Sequence, residues 1–252
     1  MFSDDFVRKN VTVLEANSIF IRLYQWGDEM KPMFVKWKEK YQIQRFIEDG
    51  VVDEGSMDQR RILFVLREMN TNEERDLCED LRRNGSSGKT WNNAARWIKV
   101  LLEQQIDLSS MSSDHRAHVM KKAAVMNLKK EAGKAKAIPA EIRKTVQMQH
   151  QEIYDQIVSC RPDVIICCGL GHCSTAELLK DTVFPVSSKW TSIHSERFDR
   201  EWSMYSVSLH EKTVPVLSFP HPQLRQLEKK RGTELIEALC HDLMMIDRKV
   251  FR

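Results

Sequence analysis

This 252-residue chain predicts an α/β fold: a three-layer sandwich with a central, mostly parallel four-stranded sheet flanked by helices, plus an N-terminal helical extension. The first observation is four apolar runs that stop abruptly at polar or glycine-containing tips. They are Arg61 to Asn72 (RILFVLREMNTN), AAVMNLKK ending near Asn127, PDVIICCGLG ending at Gly169, and VPVLSFPHP ending at His221. Each is short and apolar on consecutive positions, as a strand buried on both faces must be. The second observation is that helical patterns separate the runs, and strand–helix–strand alternation marks a parallel sheet. The third is a hydrophobic content of 42%, enough for a core of that size.

In chain order, residues 1 to 50 read as helices. Val13 to Tyr24 and Pro32 to Ile47 carry apolar residues at three and four spacing, with a break at Gly27–Asp28. The division expected is a helical extension over 1–55 and an α/β domain over 56–252. After the first strand, Asn72 to Arg83 reads as a polar helix and Asn84 to Thr90 as a flexible loop. Gly85 and Gly88 have two residues between them where a phosphate loop needs four, and no apolar strand leads in, which excludes an NTPase motif. Lys89 beside this loop is still able to touch a phosphate.

Trp91 to Leu102 is amphipathic, with Trp91, Ala94, Ala95, Ile98 and Leu102 on one stripe. Ser113 or Asp114 is placed to cap a short helix to Met120. A basic loop from Lys129 to Lys136 follows the second strand, and one helix is expected from Pro139 to about Cys160. Gly169-Leu170-Gly171-His172-Cys173-Ser174 opens a helix after a strand, like a dinucleotide fingerprint, but Ser174 replaces the third glycine and no acidic residue ends a strand about 20 positions on. Thr182 to Phe198 reads as a loop, Trp202 to Leu209 as an extra or edge strand, and Leu224 to Met245 as a terminal helix.

No apolar run approaches the roughly 20 residues of a membrane span, and MFSDDFVRKN lacks the apolar segment of a secretory signal. A cytoplasmic monomer with no membrane partner is the expectation. The six cysteines form no C-x-x-C pair and read as buried free thiols, without a metal site. A formal charge of +3 is small, but Lys121 to Lys144 holds eight Lys or Arg against two Glu, so this stretch carries +6 and the rest −3. Such a stripe fits an anionic polymer; the alternative is a solvated helix face.

Taken jointly, the four tips resemble the uracil-DNA glycosylase superfamily. In that family a first strand ends in G-x-(D/N/E)-P or a near variant, a second in an Asn, a third in a Gly, commonly within P-x-V-I-(x)n-G, and a fourth in H-P-S. Here Leu66-Arg67-Glu68-Met69, Met126-Asn127, Pro162 to Gly169 (PDVIICCG) and His221-Pro222-Gln223 stand at those places, and the match covers roughly residues 60 to 245. Leu66 and Met69 replace the Gly and Pro of the first motif, Gln223 replaces the Ser of the last, and Asn70 stands where some members carry an aromatic that excludes substituents at the pyrimidine five-position.

The resemblance implies a monofunctional DNA glycosylase without cofactor or metal, acting on DNA. Breaking an N-glycosidic bond builds positive charge on the sugar and negative charge on the base, so an anion and a donor are needed. Glu68 and His221 are the catalytic candidates; paired Glu68 (with Arg67 or Arg75) and a core histidine are the alternatives. Asn127, Asn70, Arg67 and Trp91 are candidates for base recognition, against a structural role for Asn127 and a core role for Trp91. Lys89, Lys129, Lys130, Lys134, His172, Leu224 and Arg225 are candidates for DNA contact, with Leu224 or Arg225 as the wedge. The unobstructed Asn70 position admits hypermodified pyrimidines, including glucosylated hydroxymethylcytosine of phage DNA, which would make excision an antiviral defence. Uracil repair, a non-catalytic nucleic-acid-binding protein and a free-nucleoside hydrolase are the competing functions.

Overall fold

The computed structural model of the chain describes residues 30–56, 60–85, 88–171 and 173–251. It divides into two compact units, Met1–Gln42 and Ile43–Arg252. In the first, a helix (α1) covers 30–41; the helix expected over Val13 to Tyr24 lies outside the described residues. The helical reading of the following stretch is corrected. Residues 43–50 are not helical, and Ile47–Glu48 (β1) and Gly50–Val51 (β2) are strands of the larger unit.

The larger unit continues with β3 (Ile62–Leu66), β4 (Arg75–Asp76), α2 (Leu77–Asn84), α3 (Lys89–Glu103), α4 (Ser113–Met120) and β5 (Ala123–Asn127). Then come α5 (Pro139–Met148), α6 (His150–Cys160), β6 (Val164–Cys168), the single turn α7 (Thr175–Leu178), β7 (Thr191–His194), β8 (Glu201–Leu209) and β9 (Lys212–Phe219). A small ladder of β10 (Gln226–Leu227) and β11 (Lys230–Arg231) precedes α8 (Gly232–Ile246).

The central sheet has seven strands in the order β2-β5-β3-β6-β9-β8-β7, where four were expected. The four expected strands are its parallel centre, β5-β3-β6-β9. Every residue of β3, β5 and β6 is buried, which is why their sequences are apolar without alternation. Antiparallel β2 extends one side, and β8 and β7 extend the other. β8 is the extra strand expected, with a largely alternating burial, but β7 lies outside it, within the stretch read as a loop. One face of the sheet, carrying Ile62, Phe64, Leu66, Ile166 and Phe219, shares a core with α2, α3, α4 and α8. On the other side α5 and α6 pack together and α7 lies on β6 and β9.

Several helix boundaries differ from the sequence reading. Asp76 accepts a hydrogen bond from the Glu79 amide (2.8 Å) and starts α2 five residues later than expected, because Arg75 and Asp76 pair with β1. Ser112, rather than Ser113 or Asp114, caps α4. Gln149 (φ −115°) breaks the expected long helix into α5 and α6. α8 begins only at Gly232, since Leu224 reaches the core from the turn after His221 and Leu227 from the extended ladder, instead of from one helix face. Gly85 at the end of α2 and Asn92 in α3 are tied together by Arg116, which donates to Gly85 O (3.0 Å) and Asn92 Oδ1 (2.8 Å). All six cysteines are free and buried.

Candidate active site at the strand tips

The four parallel strands end on one edge of the sheet, so the tips after Leu66, Asn127, Cys168 and Phe219 share that edge by topology. Backbone pairing continues beyond β3 and β5: Leu128 N donates to Leu66 O (2.9 Å), Lys129 N to Arg67 O (2.9 Å) and Gly133 N to Met69 O (2.8 Å). The basic loop is thereby stitched to the first tip.

Glu68 turns toward that loop. Its Oε2 lies 3.1 Å from Lys129 Nζ, which is also 3.5 Å from Glu141 Oε2 on α5. The pair is largely enclosed, with side chains 4% and 14% exposed for Glu68 and Lys129. Gly133 presses on it: a Cβ there would stand 2.4 Å from Glu68 Cδ. Burial pulls the Lys129 ammonium down, but its hydrogen bond to Glu68 and the charges of Glu68, Glu141 and Glu131 outweigh this and hold it above its ordinary value. The pairing with Arg67 or Arg75 weighed from sequence does not form; Arg75 pairs with Glu73 and Asp80.

Arg67 leans the other way, donating from Nη2 to Cys173 O (3.2 Å) on the loop after β6. Gly169 lies beside it, with an ideal Cβ 3.6 Å from Arg67 Nε, and that Nε is buried without a partner. His221 sits at the end of β9 in a loop pinned by a hydrogen bond from Asn93 Nδ2 to Pro222 O (2.6 Å). Its Nδ1 accepts from the Gln223 amide (3.1 Å), so in the neutral ring the proton is on Nε2. Burial, and then the Arg67 charge, lower its pKa below the usual 6.5. The result is a neutral imidazole with a free N–H to offer. Since a nearby cation disfavours the imidazolium, Arg67→Met is expected to move the His221 titration midpoint upward while burial still keeps it below 6.5. Ring-proton NMR reads this directly; a midpoint that stays put or falls contradicts the contact.

Asn127 is 3% exposed and turned to the sheet border. Its backbone N and Nδ2 both donate to Asp49 Oδ2, at 2.7 and 3.1 Å. Asp49 Oδ1 pairs with Lys130 and accepts from Gln156 Nε2 (2.8 Å). Asp49 and Lys130 are fully buried, and desolvation lowers the Lys130 pKa against the pull of Asp49. Lys130 is therefore corrected from a DNA contact to an interior ion pair. Asn127 is engaged structurally, although with Asp49 rather than with the basic loop.

Trp91 and Leu224 are half-buried against the core, whereas Asn70, Lys89, Lys134 and Arg225 are exposed; His172 lies outside the described residues. The glycine tip offers no open helix end, because Ser174 and Glu177 form a reciprocal capping box on the single turn α7. Among the described residues, no group of three or more His, Cys, Asp or Glu is placed to hold a metal ion, and no helix is long and apolar enough to cross a membrane. Sequence reasoning missed Asp49, Gln156, Asn93, Gly133 and Glu141; of these only Gly133, a lone glycine inside a basic loop, carried a local signal of close approach.

No protein-family model matches the chain, and no curated protein matches it in sequence.

Proposed function

We propose that this chain is a DNA glycosylase of the uracil-DNA glycosylase type, which flips a modified or damaged pyrimidine out of DNA and hydrolyses its N-glycosidic bond to leave an abasic site. The observation that carries the reading is the pairing of opposite chemistries on one sheet edge: a neutral His221 with an Nε2 donor, and an enclosed Glu68 carboxylate. His221 donates to a carbonyl oxygen of the departing base as negative charge develops there, and Arg67 adds positive charge nearby. Glu68 orients the attacking water or stabilises the oxocarbenium-like sugar. Flipping costs a few kcal/mol, offset by phosphate contacts and a wedge. With Leu224 packed on the core, exposed Arg225 is the side chain available as that wedge.

Exposed Asn70, in the position where some members of that superfamily carry an excluding aromatic, permits a hypermodified base without demanding it; such a base, for example glucosylated hydroxymethylcytosine of phage DNA, would give the protein a role in defence within the cytoplasm. Incubating the protein with plain, uracil-containing and phage-derived hypermodified DNA and counting abasic sites tests this. Release from modified DNA alone, abolished by Asn70→Tyr, is expected; release of uracil alone returns the protein to base-excision repair. A non-catalytic nucleic-acid-binding protein is favoured by one observation, that the Glu68 carboxylate is already engaged by Lys129. Either way exposed Lys134 is a phosphate contact: Lys134→Ala is expected to weaken binding for all sequences and reduce the salt slope by about one. An unchanged slope makes it solvated surface.

A further inference from the structure

The geometry points to Lys129 as the positioning residue for the Glu68 carboxylate rather than a phosphate contact, an inference that rests on the proposed role of Glu68 beside the sugar. Three contacts carry it. The Lys129 backbone is fixed to the first tip by its hydrogen bond to Arg67 O (2.9 Å), so its side chain starts from a defined place. Its Nζ holds Glu68 Oε2 at 3.1 Å and is itself held by Glu141 Oε2 at 3.5 Å. Gly133 closes the carboxylate in, with room for no side chain of its own. Oε2 is thus occupied, and Oε1 is the oxygen left to face a water or a sugar.

Two consequences follow from chemistry. An ammonium shared by two carboxylates, 14% exposed, has little charge to offer a phosphate, unlike exposed Lys134. An ammonium also lacks the lone pair needed to attack the aldehyde carbon of an abasic sugar. Held as an ammonium between two carboxylates, Lys129 is not the nucleophile for an imine.

The test uses the full chain with Lys129→Met, Lys129→Arg and the double variant Lys129→Met, Glu68→Gln. Single-turnover base release by Lys129→Met is expected to fall about 10²-fold, the effect of a displaced reacting group, with DNA affinity and its salt slope unchanged. Lys129→Arg recovers most of the rate. In thermal melting Lys129→Met lowers the midpoint by stranding an enclosed carboxylate, and adding Glu68→Gln restores it. A salt slope reduced by about one in Lys129→Met, melting effects that simply add, or trapping of the wild type on abasic DNA by borohydride through Lys129 each overturns the inference. Should the wild type release no base from any DNA while the melting coupling persists, the glycosylase reading fails and the clamp stands.

Discussion

Glu68→Gln is expected to lower single-turnover base release by about 10²–10⁴, the contribution of one well-placed acid or base group, with DNA binding retained. The substitution keeps the shape that fits against Gly133 and leaves an amide oxygen to accept from Lys129, so the fold around the tip is preserved. What it removes is the negative charge that would face the sugar as the bond to the base stretches. In the proposed function, affinity would come from phosphate contacts elsewhere, which the change does not touch. Equilibrium binding and single-turnover kinetics on the same substrate separate the two quantities. A loss of less than tenfold in release would show that the carboxylate does no chemistry, whereas a wild type that binds DNA but releases no base would leave the protein a binder.

The second large effect is one of stability. Asp49→Ala is expected to cost about 3–5 kcal/mol, because it strands a fully buried Lys130 ammonium. Asn127 N, Asn127 Nδ2 and Gln156 Nε2 lose an acceptor at the same time. Native domains are stable by only about 5–15 kcal/mol, so a fall of that size should show as a large shift in the denaturant midpoint and a poor soluble yield. Asp49→Asn combined with Lys130→Met should recover most of the loss, since it removes both charges together and keeps one side-chain oxygen to accept from Asn127, while Gln156 Nε2 retains the backbone oxygen of residue 49. A loss under about 1 kcal/mol for Asp49→Ala would mean that water reaches the site and the pair is not dry.

The parallel centre of the sheet was legible because β3, β5 and β6 are buried at every position, which leaves an unbroken apolar run that ends where the strand ends. The border was not. β1 and β2 are two residues each and contain Glu48 and Gly50, too short to show any period, and the 224–231 segment is rich in helix-forming side chains that tertiary packing overrides. For the site, strand ends placed Arg67, Glu68 and His221 on one edge, but pairings between tips are long-range and leave no local trace. Lys129 and Lys130 make the point: neighbours in a basic stretch, one holds Glu68 at the site while the other is sealed inside with Asp49. Counting charge along the chain treats the two alike, whereas successive side chains leaving a strand point to opposite sides.

The Asp49 network also orders assembly in time. Asp49 binds partners 78, 81 and 107 residues further along the chain. Loops of that length carry an entropic cost that must be met before their contacts reward it, and such contacts form slowly. During synthesis β2 is among the first strands of this unit to emerge, yet it cannot be locked until Gln156 has been made. Until then the outer side of β5 presents unpaired backbone N–H and C=O groups, a template for another chain. Refolding yield should therefore fall with protein concentration, and the earliest-made strand of the sheet is the one whose late docking covers Ala124 and Val125 of β5.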